Sequence, residues 1–429
     1  MAKVIYNLII LFTYIPYIFV IFLRKIFKKE HSFKFKEKLF FNNRDRKRPN
    51  GYLFWFHVAS LGEFNSILPI IDYYIKKDKK YCFLITSVTL SSYMQFQKKF
   101  ENNDRVFHQF LPYDINLLIK NFLNNWRPDI ISFVDSEIWP NFIFEIKKRK
   151  IPLILLNARI TKKTFRRWLF FKNFAYSIFS CFSLGIASSK ESLEYLRLLN
   201  TSNLKYFGNI KFCTPIYKSK GIYENQFGLI KNKKVWVALS THHDEEIFCL
   251  SVHRLMEKYD KNIVTIIIPR HINRIKKIFN NLSSNNVKVQ IKNENDLILQ
   301  DSNIVLVNYY GLTAKYLDRY KFIFIGKSLV PSLSSVGGQN PIEAIKNSCK
   351  VYHGPFVYNF KEIYNYLDEK NFAEKLSENR SQAAENLSKK LLEDFKKDTQ
   401  IDNKKIEEVD NFSKKIFNDV IEEYNSFIK

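Results

Sequence analysis

Short apolar runs separated by longer amphipathic stretches recur along the chain from Gly51 onward. The runs are rich in Ile, Leu and Phe and do not alternate with polar residues. Continuous runs of this kind are typical of strands buried on both faces of a parallel sheet, and the stretches between them predict covering helices. In the first half of the chain, the predicted strands are 52–57, 81–86, 130–134, 152–157 and 184–187.

The same pattern restarts after a polar stretch around residues 217–233. Two blocks of alternating strands and helices predict two doubly wound α/β domains, joined by a linker within 213–233. Residues 361–429 are rich in Lys, Glu and Asn with apolar residues at helical spacing, which predicts helices only. The strands predicted in the second block are 234–239, 263–268, 287–291, 304–307, 322–326 and 350–353.

The N-terminal residues 4–23 form a run of 20 residues without a charge. A helix that spans a membrane needs roughly 20 apolar residues. Residues 24–48 follow with 11 Lys or Arg and 3 acidic residues, a local charge of 11 − 3 = +8. The positive-inside rule therefore predicts a membrane anchor helix with the rest of the chain on the cytoplasmic side.

This run has three other interpretations. A cleaved signal peptide is disfavoured, because no small-x-small cleavage site precedes the basic cluster. An ordinary buried helix would also be apolar. A helix that lies in the membrane interface stays open, because Tyr6, Tyr14 and Tyr17 are able to sit at the level of the lipid headgroups.

The charge and the cysteine content of the chain limit the classes of partner and of site that we expect. Its 429 residues carry 68 basic and 42 acidic side chains, a net charge of +26. A surface this basic favours polyanions such as nucleic acid, anionic lipid or a phosphorylated substrate. The five Cys residues are scattered and include no Cys-x-x-Cys pair, which argues against a disulfide framework or a zinc site.

In open α/β sheets ligands bind beyond the carboxyl ends of the strands, so the residues just after each apolar run are the candidates for chemistry. Glu63 follows the first strand, after Ser60 as a helix cap and Gly62 for a tight turn. A carboxylate there can act as a general base if burial raises its pKa, or merely favour the helix N-terminus. Asp135 and Glu137 follow the third strand, and either could face Glu63 as a second carboxylate.

Cationic and glycine-rich positions follow other strands. Lys211 and Arg270 are placed to bind a phosphate. Arg159 is placed to face a ligand in the crevice. Ser240 or Thr241 is expected to cap the helix that follows, where free N–H groups bind anions. The pair Gly337-Gly338 predicts close approach of the backbone to a phosphate, and Glu343 is able to accept from ribose hydroxyls.

Several common motifs are absent from the sequence. It contains no Gly-x-x-x-x-Gly-Lys-Ser/Thr, Gly-x-Gly-x-x-Gly or Gly-x-Ser-x-Gly. It also contains no His-x-x-x-His and no Asp-x-Asp, so we expect neither a two-His metal helix nor a divalent metal carrying a diphosphate.

Seven stretches together resemble the 3-deoxy-D-manno-octulosonic acid (Kdo) transferases of lipopolysaccharide synthesis. They occur in the family's order and extend over most of residues 50–360. The resemblance implies an α/β GT-B glycosyltransferase with two Rossmann-like domains facing a crevice, CMP-Kdo as donor and the lipid A precursor as acceptor. The matching stretches are 57–63, 135–141, 157–159, 208–212, 240–246, 269–271 and 337–343.

Carried over residue by residue, the resemblance assigns Glu63 as the proton acceptor and Glu137 and Lys211 as transition-state support. It also assigns three groups of residues to the binding of the donor nucleotide. The family's Met-Gly-Glu is matched loosely by Tyr310-Gly311-Leu312, where Leu312 replaces the acid; Gln339 replaces a usual His; and the loop 330–336 is lengthened. The donor-contact residues are Pro269 and Arg270; Tyr310, Gly311 and Leu312; and Asn340, Pro341, Ile342 and Glu343.

The expected organisation is an anchor helix over 1–24, an acceptor-binding domain over 25–215, a CMP-sugar-binding domain over 216–400 and a C-terminal helix over 401–429. The resemblance implies a metal-independent, inverting transfer of Kdo at the cytoplasmic face of the inner membrane, with anionic lipids as partners and no cofactor or nucleic acid. Two alternatives are a GT-B enzyme that uses another nucleotide sugar and a non-enzymatic, membrane-tethered binder of polyanions.

Overall fold

The computed structural model describes residues 2–40, 48–214, 230–309, 313–397 and 403–428. The chain divides into two compact units, Met1–Pro215 with Phe412–Lys429, and Ile216–Asn411. The division falls within the predicted linker, most of which lies outside the described residues.

The first unit is built on a seven-stranded parallel sheet, and the buried apolar runs predict five of its strands. Its strand order is β3-β2-β1-β4-β5-β6-β7, a doubly wound arrangement. The sequence pattern missed β3 because His108 and Gln109 interrupt its apolar run. The strands are β1 Tyr52–Val58, β2 Tyr81–Ser87, β3 Val106–Phe110, β4 Ile130–Val134, β5 Leu153–Ala158, β6 Leu184–Ala187 and β7 Leu204–Lys205.

Helices cover this sheet and bury an aromatic core that includes Trp55, Trp126 and Phe133. The first helix is long and apolar enough to cross a membrane, and only 6% of its most apolar window is buried. A 3₁₀ helix at Ile210–Cys213 follows β7. The α-helices are α1 Ala2–Ile26, α2 Leu61–Lys77, α3 Leu90–Phe100, α4 Asn116–Trp126, α5 Pro140–Lys148, α6 Lys162–Leu169, α7 Lys172–Phe179 and α8 Lys190–Leu198.

The second unit repeats the architecture with another seven-stranded parallel sheet, in the order β10-β11-β9-β8-β12-β13-β14. The prediction of helices only beyond residue 361 is wrong, because Ala373–Lys375 forms an edge strand too short to show a pattern. The strands are β8 Lys234–Thr241, β9 Ile263–Pro269, β10 Val289–Lys292, β11 Ile304–Val307, β12 Phe322–Ile325, β13 Lys350–His353 and β14 Ala373–Lys375.

Seven further helices lie in the second half of the described chain. The last of them begins in the second unit and ends in the first, where the hydroxyl of Tyr424 bonds that of Ser132 on β4 at 2.6 Å. They are α9 Glu245–Glu257, α10 Ile275–Ser283, α11 Thr313–Arg319, α12 Ile342–Lys346, α13 Lys361–Glu369, α14 Arg380–Lys397 and α15 Asn403–Phe427.

The strand orders place one topological switch point in each sheet. The order reverses between β1 and β4 in the first unit and between β8 and β12 in the second. Ligands of open α/β sheets bind at such points, beyond the carboxyl ends of the strands. The loops after these four strands are therefore where function is expected.

Candidate functional site

The loop after β1 ends in a capped helix that positions Glu63. Ser60 is the N-cap of α2, and its side chain accepts a hydrogen bond from the Glu63 N–H, as the sequence predicts. The Glu63 carboxylate in turn accepts from the Ser60 hydroxyl and from the Ala59 N–H, both at 2.7 Å. This reciprocal capping fixes the carboxylate at the switch point.

The expected tight turn at Gly62 is wrong. Gly62 lies in the first turn of α2, and it is absent from the residues with positive φ. A Cβ added there would meet only the Ser60 Oγ, at 4.0 Å. The glycine therefore leaves open space next to Glu63 rather than permitting an unusual backbone conformation.

Glu137, in the loop after β4, is held by two N–H donors. Its Oε2 lies 3.2 Å from His57 Nε2 and 2.9 Å from Trp139 Nε1. His57 is the sixth residue of β1 and is fully buried, whereas the Glu137 side chain is 20% exposed. The contact therefore links the two strands that flank the switch point.

A chain of hydrogen bonds behind His57 sets the orientation of its ring. Trp55 Nε1 donates to Thr86 Oγ1 at 2.8 Å, and Thr86 Oγ1 lies 3.0 Å from His57 Nδ1. The ring is thereby oriented so that Nε2 faces the Glu137 carboxylate. Sequence reasoning missed this role of His57, since Trp55 and Thr86 belong to different strands.

Asp135 and Lys211 complete the cluster of charges. Lys211 Nζ lies 2.9 Å from Asp135 Oδ2, so the resemblance-assigned lysine is already paired with a carboxylate. Asp135 and Asn157, the residues at the ends of β4 and β5, both adopt left-handed φ angles, 63° and 53°. The Asn157 Oδ1 accepts from the Ile210 N–H at 3.0 Å, which places the 3₁₀ helix carrying Lys211.

The two glutamates have opposite pKa shifts. Burial, and next the negative charge of Asp135, raise the pKa of Glu63 against its hydrogen bonds to Ser60 and Ala59. Burial also acts on Glu137, but the hydrogen bonds from His57 and Trp139 outweigh it and lower that pKa. Environments that separate two such pKa values mark Glu63 as a group able to exchange a proton and Glu137 as a permanent negative charge.

The corresponding switch point of the second unit holds a carboxylate of a different kind. Glu245 is fully buried and accepts four backbone hydrogen bonds, at 2.6 to 2.9 Å, from His242 and from the consecutive residues Lys327, Ser328 and Leu329. The carboxylate thereby joins the loops after β8 and β12. Its oxygen atoms are used entirely within the protein.

The expected helix cap after β8 is wrong. The N-cap of α9 is Asp244, not Ser240 or Thr241, and its side chain makes no capping bond. The chain takes an extra turn before the helix, and the Thr241 hydroxyl bonds the Glu246 carboxylate at 3.0 Å instead. The Glu245 carboxylate accepts from the N–H of His242, which precedes the helix.

Two arginines after β9 differ in their availability. Arg274 bonds both carboxylate oxygens of Glu246, at 3.1 and 3.0 Å. Arg270 is exposed directly after the buried Pro269, and its backbone N–H bonds the Thr241 carbonyl. Among the described residues, the Arg274 guanidinium binds an internal carboxylate, and the Arg270 guanidinium does not.

The glycine pair after β12 serves packing. A Cβ on Gly337 would lie 2.2 Å from the Phe356 carbonyl oxygen. Gly338 has φ +88° and its N–H donates to the Lys327 carbonyl at 2.7 Å, so that N–H is not free for a phosphate as the sequence suggested. Close approach of two backbone segments requires glycine at both positions.

The segment that follows presents polar groups at the start of α12. The Asn340 Oδ1 accepts from the Ile342 N–H at 3.1 Å, with Pro341 buried between them. Glu343 is exposed in the first turn. The remaining predicted donor contacts, Tyr310, Gly311 and Leu312, lie outside the described residues.

Known proteins resemble the chain in sequence. Residues 33–214 match the family model described as 3-Deoxy-D-manno-octulosonic-acid transferase (kdotransferase). A 3-deoxy-D-manno-octulosonic acid transferase of Rickettsia bellii is 33% identical over 342 residues, which are 79% of this chain and 79% of the relative. One from Haemophilus influenzae is 28% identical, over 77% of this chain and 76% of its own.

Solved structures resemble the fold. UDP-GlcNAc 2-epimerase from Neisseria meningitidis has a TM-score of 0.58 at 15% identity, over 87% of this chain and all (100%) of that one. A glycosyltransferase from Rickettsia africae has a TM-score of 0.54 at 14% identity, and the match covers 89% of this chain and 100% of that one. The predicted α/β class, with two Rossmann-like units of GT-B type and an N-terminal apolar helix, is confirmed. The sequence relatives likewise confirm the resemblance, and the chain belongs to the family of 3-deoxy-D-manno-octulosonic acid transferases, which are glycosyltransferases.

Proposed function

We propose that this glycosyltransferase transfers Kdo from CMP-Kdo to the lipid A precursor at the cytoplasmic face of the inner membrane, with inversion and without a metal. The observation that carries the proposal is the charge cluster at the first switch point. Glu63, with its raised pKa, stands beside the permanent charges of Asp135, Lys211 and Glu137. The identity of the transferred sugar is proposed from the family to which the chain belongs.

Glu63 acts as the general base. It takes the proton of the acceptor's primary hydroxyl, whose oxygen attacks the anomeric carbon of Kdo while CMP leaves from the opposite face. A raised pKa suits this step, because a base whose pKa approaches the working pH accepts a proton more readily. The open space at Gly62 leaves room for a substrate next to the carboxylate.

Glu137 and His57 support the base through charge and position. The two N–H donors on Glu137 keep it ionised, so a negative charge persists near the carbon that becomes positive as CMP departs. Lys211 neutralises Asp135, which limits how far the neighbouring charge raises the pKa of Glu63.

The second unit is proposed to hold the donor. Arg270 is the exposed guanidinium after β9 and suits the single phosphate of CMP, while Asn340 and Glu343 offer polar groups for the nucleoside. CMP leaves with one phosphate, so no metal is needed to carry a diphosphate, in keeping with a sequence without Asp-x-Asp.

Mass spectrometry of the lipid A precursor after incubation with enzyme and CMP-Kdo tests the proposal. A product heavier by Kdo, formed equally in EDTA, is expected. Transfer from a UDP-sugar but not from CMP-Kdo would establish the alternative donor instead. Loss of activity in EDTA with recovery on adding Mg²⁺ would contradict metal independence.

A further inference from the structure

The N-terminal helix is attached to the first unit by polar contacts. The Tyr6 hydroxyl donates to Asp114 at 2.7 Å, and the hydroxyls of Thr13 and Tyr113 bond each other at 2.7 Å. Asp114 is fully buried and also accepts from two backbone N–H groups at the start of α5. These contacts tie α1 to the scaffold that carries the candidate site.

Contacts continue along the helix. The Tyr14 hydroxyl donates to the Leu39 carbonyl, and Ile21 is buried in a cluster with Leu39 and Phe35, against which Tyr17 packs. From Tyr6 to Ile21 the docked side extends over about 22 Å of helix. A helix docked lengthwise on a folded unit is not surrounded by lipid as a spanning helix is.

The opposite side of α1 is apolar and exposed. Phe12, Ile15, Phe19 and Ile26 are 78%, 75%, 64% and 72% exposed. Their spacing places them on one face at the helical period, away from the docked tyrosines. This arrangement is that of a helix that lies in the membrane interface.

A second exposed apolar and basic feature lies at the turn between α6 and α7. Phe170 and Phe171 are 83% and 66% exposed, and no residue of α6 is buried. We call these two phenylalanines, together with four exposed cations of α6, the basic–aromatic corner. The four cations are Lys162, Lys163, Arg166 and Arg167.

The inner side of α6 explains why the cations point outward. Phe165 stacks on Tyr195 with ring centroids 4.6 Å apart, and Trp168 meets Phe179 edge-on at 5.5 Å. These aromatic contacts hold the helix against the unit by one side. The four cations occupy the other side, and none of them pairs with a carboxylate in the part of the chain that the structure describes.

The charge around the corner has one sign. Residues 146–190 contain 11 Lys or Arg and no Asp or Glu. Basic side chains next to exposed aromatic rings match a surface of anionic headgroups above an acyl layer. A protein partner would instead be expected to meet a surface of mixed sign.

The corner is continuous with α1. Phe174 in α7 contacts the ring of Tyr6 at 5.8 Å and that of Phe144 at 6.1 Å, and the Lys3 ammonium lies 4.4 Å from the Phe144 ring centroid. The beginning of α1 therefore adjoins the helix that starts at the corner.

We propose that the exposed face of α1 and the basic–aromatic corner form one membrane-binding surface, on which α1 lies in the plane of an anionic bilayer instead of crossing it. The proposal rests on the proposed membrane location, but it needs neither the donor nor the acceptor. Lipid binding measured without substrates therefore separates its failure from failure of the proposed reaction.

Co-sedimentation of the full chain with vesicles tests the corner. One variant replaces its four cations by Gln, and a second carries Phe170→Ser and Phe171→Ser. Matched controls replace the exposed Lys258, Lys261, Lys276 and Lys277 by Gln, or the exposed Tyr259 by Ser. Vesicles are of phosphatidylcholine alone or mixed equally with phosphatidylglycerol.

The corner variants should bind the anionic vesicles about tenfold or more weakly than the native chain, since each cation near the surface contributes to attraction. The controls should stay within about twofold of the native chain. Equal losses in corner and control variants would show that net charge alone governs binding and would overturn the proposal. Because the cationic positions are exposed, the Gln variant answers the question even if the Ser variant does not fold.

Labelling tests the orientation of α1. Ala2→Cys in sealed inverted inner-membrane vesicles is treated with a membrane-impermeant maleimide, with Lys258→Cys as the exposed control. A helix in the plane of the membrane leaves residue 2 on the same side as the control, so both are labelled. Protection of residue 2 with labelling of the control would establish a spanning helix and overturn the proposal.

Discussion

The two units of this protein place a glutamate at the same topological position and use it in opposite ways. At the first switch point, Glu63 and Glu137 are held mainly by side chains and keep partial exposure. At the second, Glu245 is fully buried, and four backbone N–H groups consume its oxygen atoms. A carboxylate at a switch point is thus not evidence of chemistry until its hydrogen-bond partners are known.

The direction of the pKa shift does not make this distinction, because the pKa values of Glu63 and Glu245 are both raised. The raised pKa of Glu63 depends on burial and on Asp135 and is only partly offset by two hydrogen bonds. Burial also raises the pKa of Glu245, but backbone donors from two loops oppose it. The two carboxylates differ in access instead: Glu63 keeps partial exposure, whereas Glu245 is fully buried and joins the loops around it.

The largest expected effect comes from Glu63→Gln. We expect kcat to fall about 10²–10⁴-fold, because a positioned base contributes that much, while CMP binding stays unchanged. Steady-state kinetics with CMP-Kdo and calorimetry with CMP check the two parts. Near-normal turnover would remove Glu63 from the mechanism.

Glu245→Gln tests the structural half of the comparison. An amide nitrogen would face backbone N–H donors, and we expect the free energy of unfolding of the second unit to fall by about 2–3 kcal/mol. Thermal denaturation measures the change, with Glu385→Gln on the exposed side of α14 as the matched control. Equal stability of both variants would show that the four bonds do not hold the loops.

Arg270→Ala sharpens the assignment of the second unit. Loss of one charged contact should weaken CMP binding by about 1.5–3 kcal/mol without a change in melting temperature. Arg274→Ala is the control, because Arg274 is bound to Glu246 and its removal should lower stability instead. Calorimetry with CMP that gives Arg270→Ala the native affinity would contradict the assignment.

The smallest expected effect is a shift in a pH profile. Glu63 must be ionised to act as a base, so kcat/KM should fall as the pH drops through its raised pKa. Asp135→Asn removes the neighbouring negative charge, and this change lowers the pKa of Glu63. The acidic limb should therefore move to lower pH. Asn tolerates the left-handed backbone at position 135.

An acidic limb at the native position in that variant would show that Asp135 does not act on the base. A limb moved to higher pH would mean that the ionised group is not Glu63. The profile is measured from kcat/KM, which reports groups of the free enzyme.

Part of the site was predictable because local sequence determines it. The Ser60 cap and the position of Glu63 after a buried strand follow from residues within one strand and one turn. The His57–Glu137 contact was not predictable, since its geometry depends on Thr86 and Trp55 in neighbouring strands. Gly62 and Gly338 were misassigned, because a glycine alone does not show whether it leaves space or permits close packing.

Apolar runs and their spacing determined two parallel sheets, because strands buried on both faces must be continuously apolar. The motifs after those strands likewise carried the family resemblance. Only the tertiary structure decided which carboxylate keeps partial exposure and which is enclosed by backbone donors, and that α1 lies along the first unit. These properties depend on pairs of residues far apart in the chain, such as Tyr6 with Asp114 and Glu245 with Ser328, and the distance between such partners is set by packing rather than by local sequence.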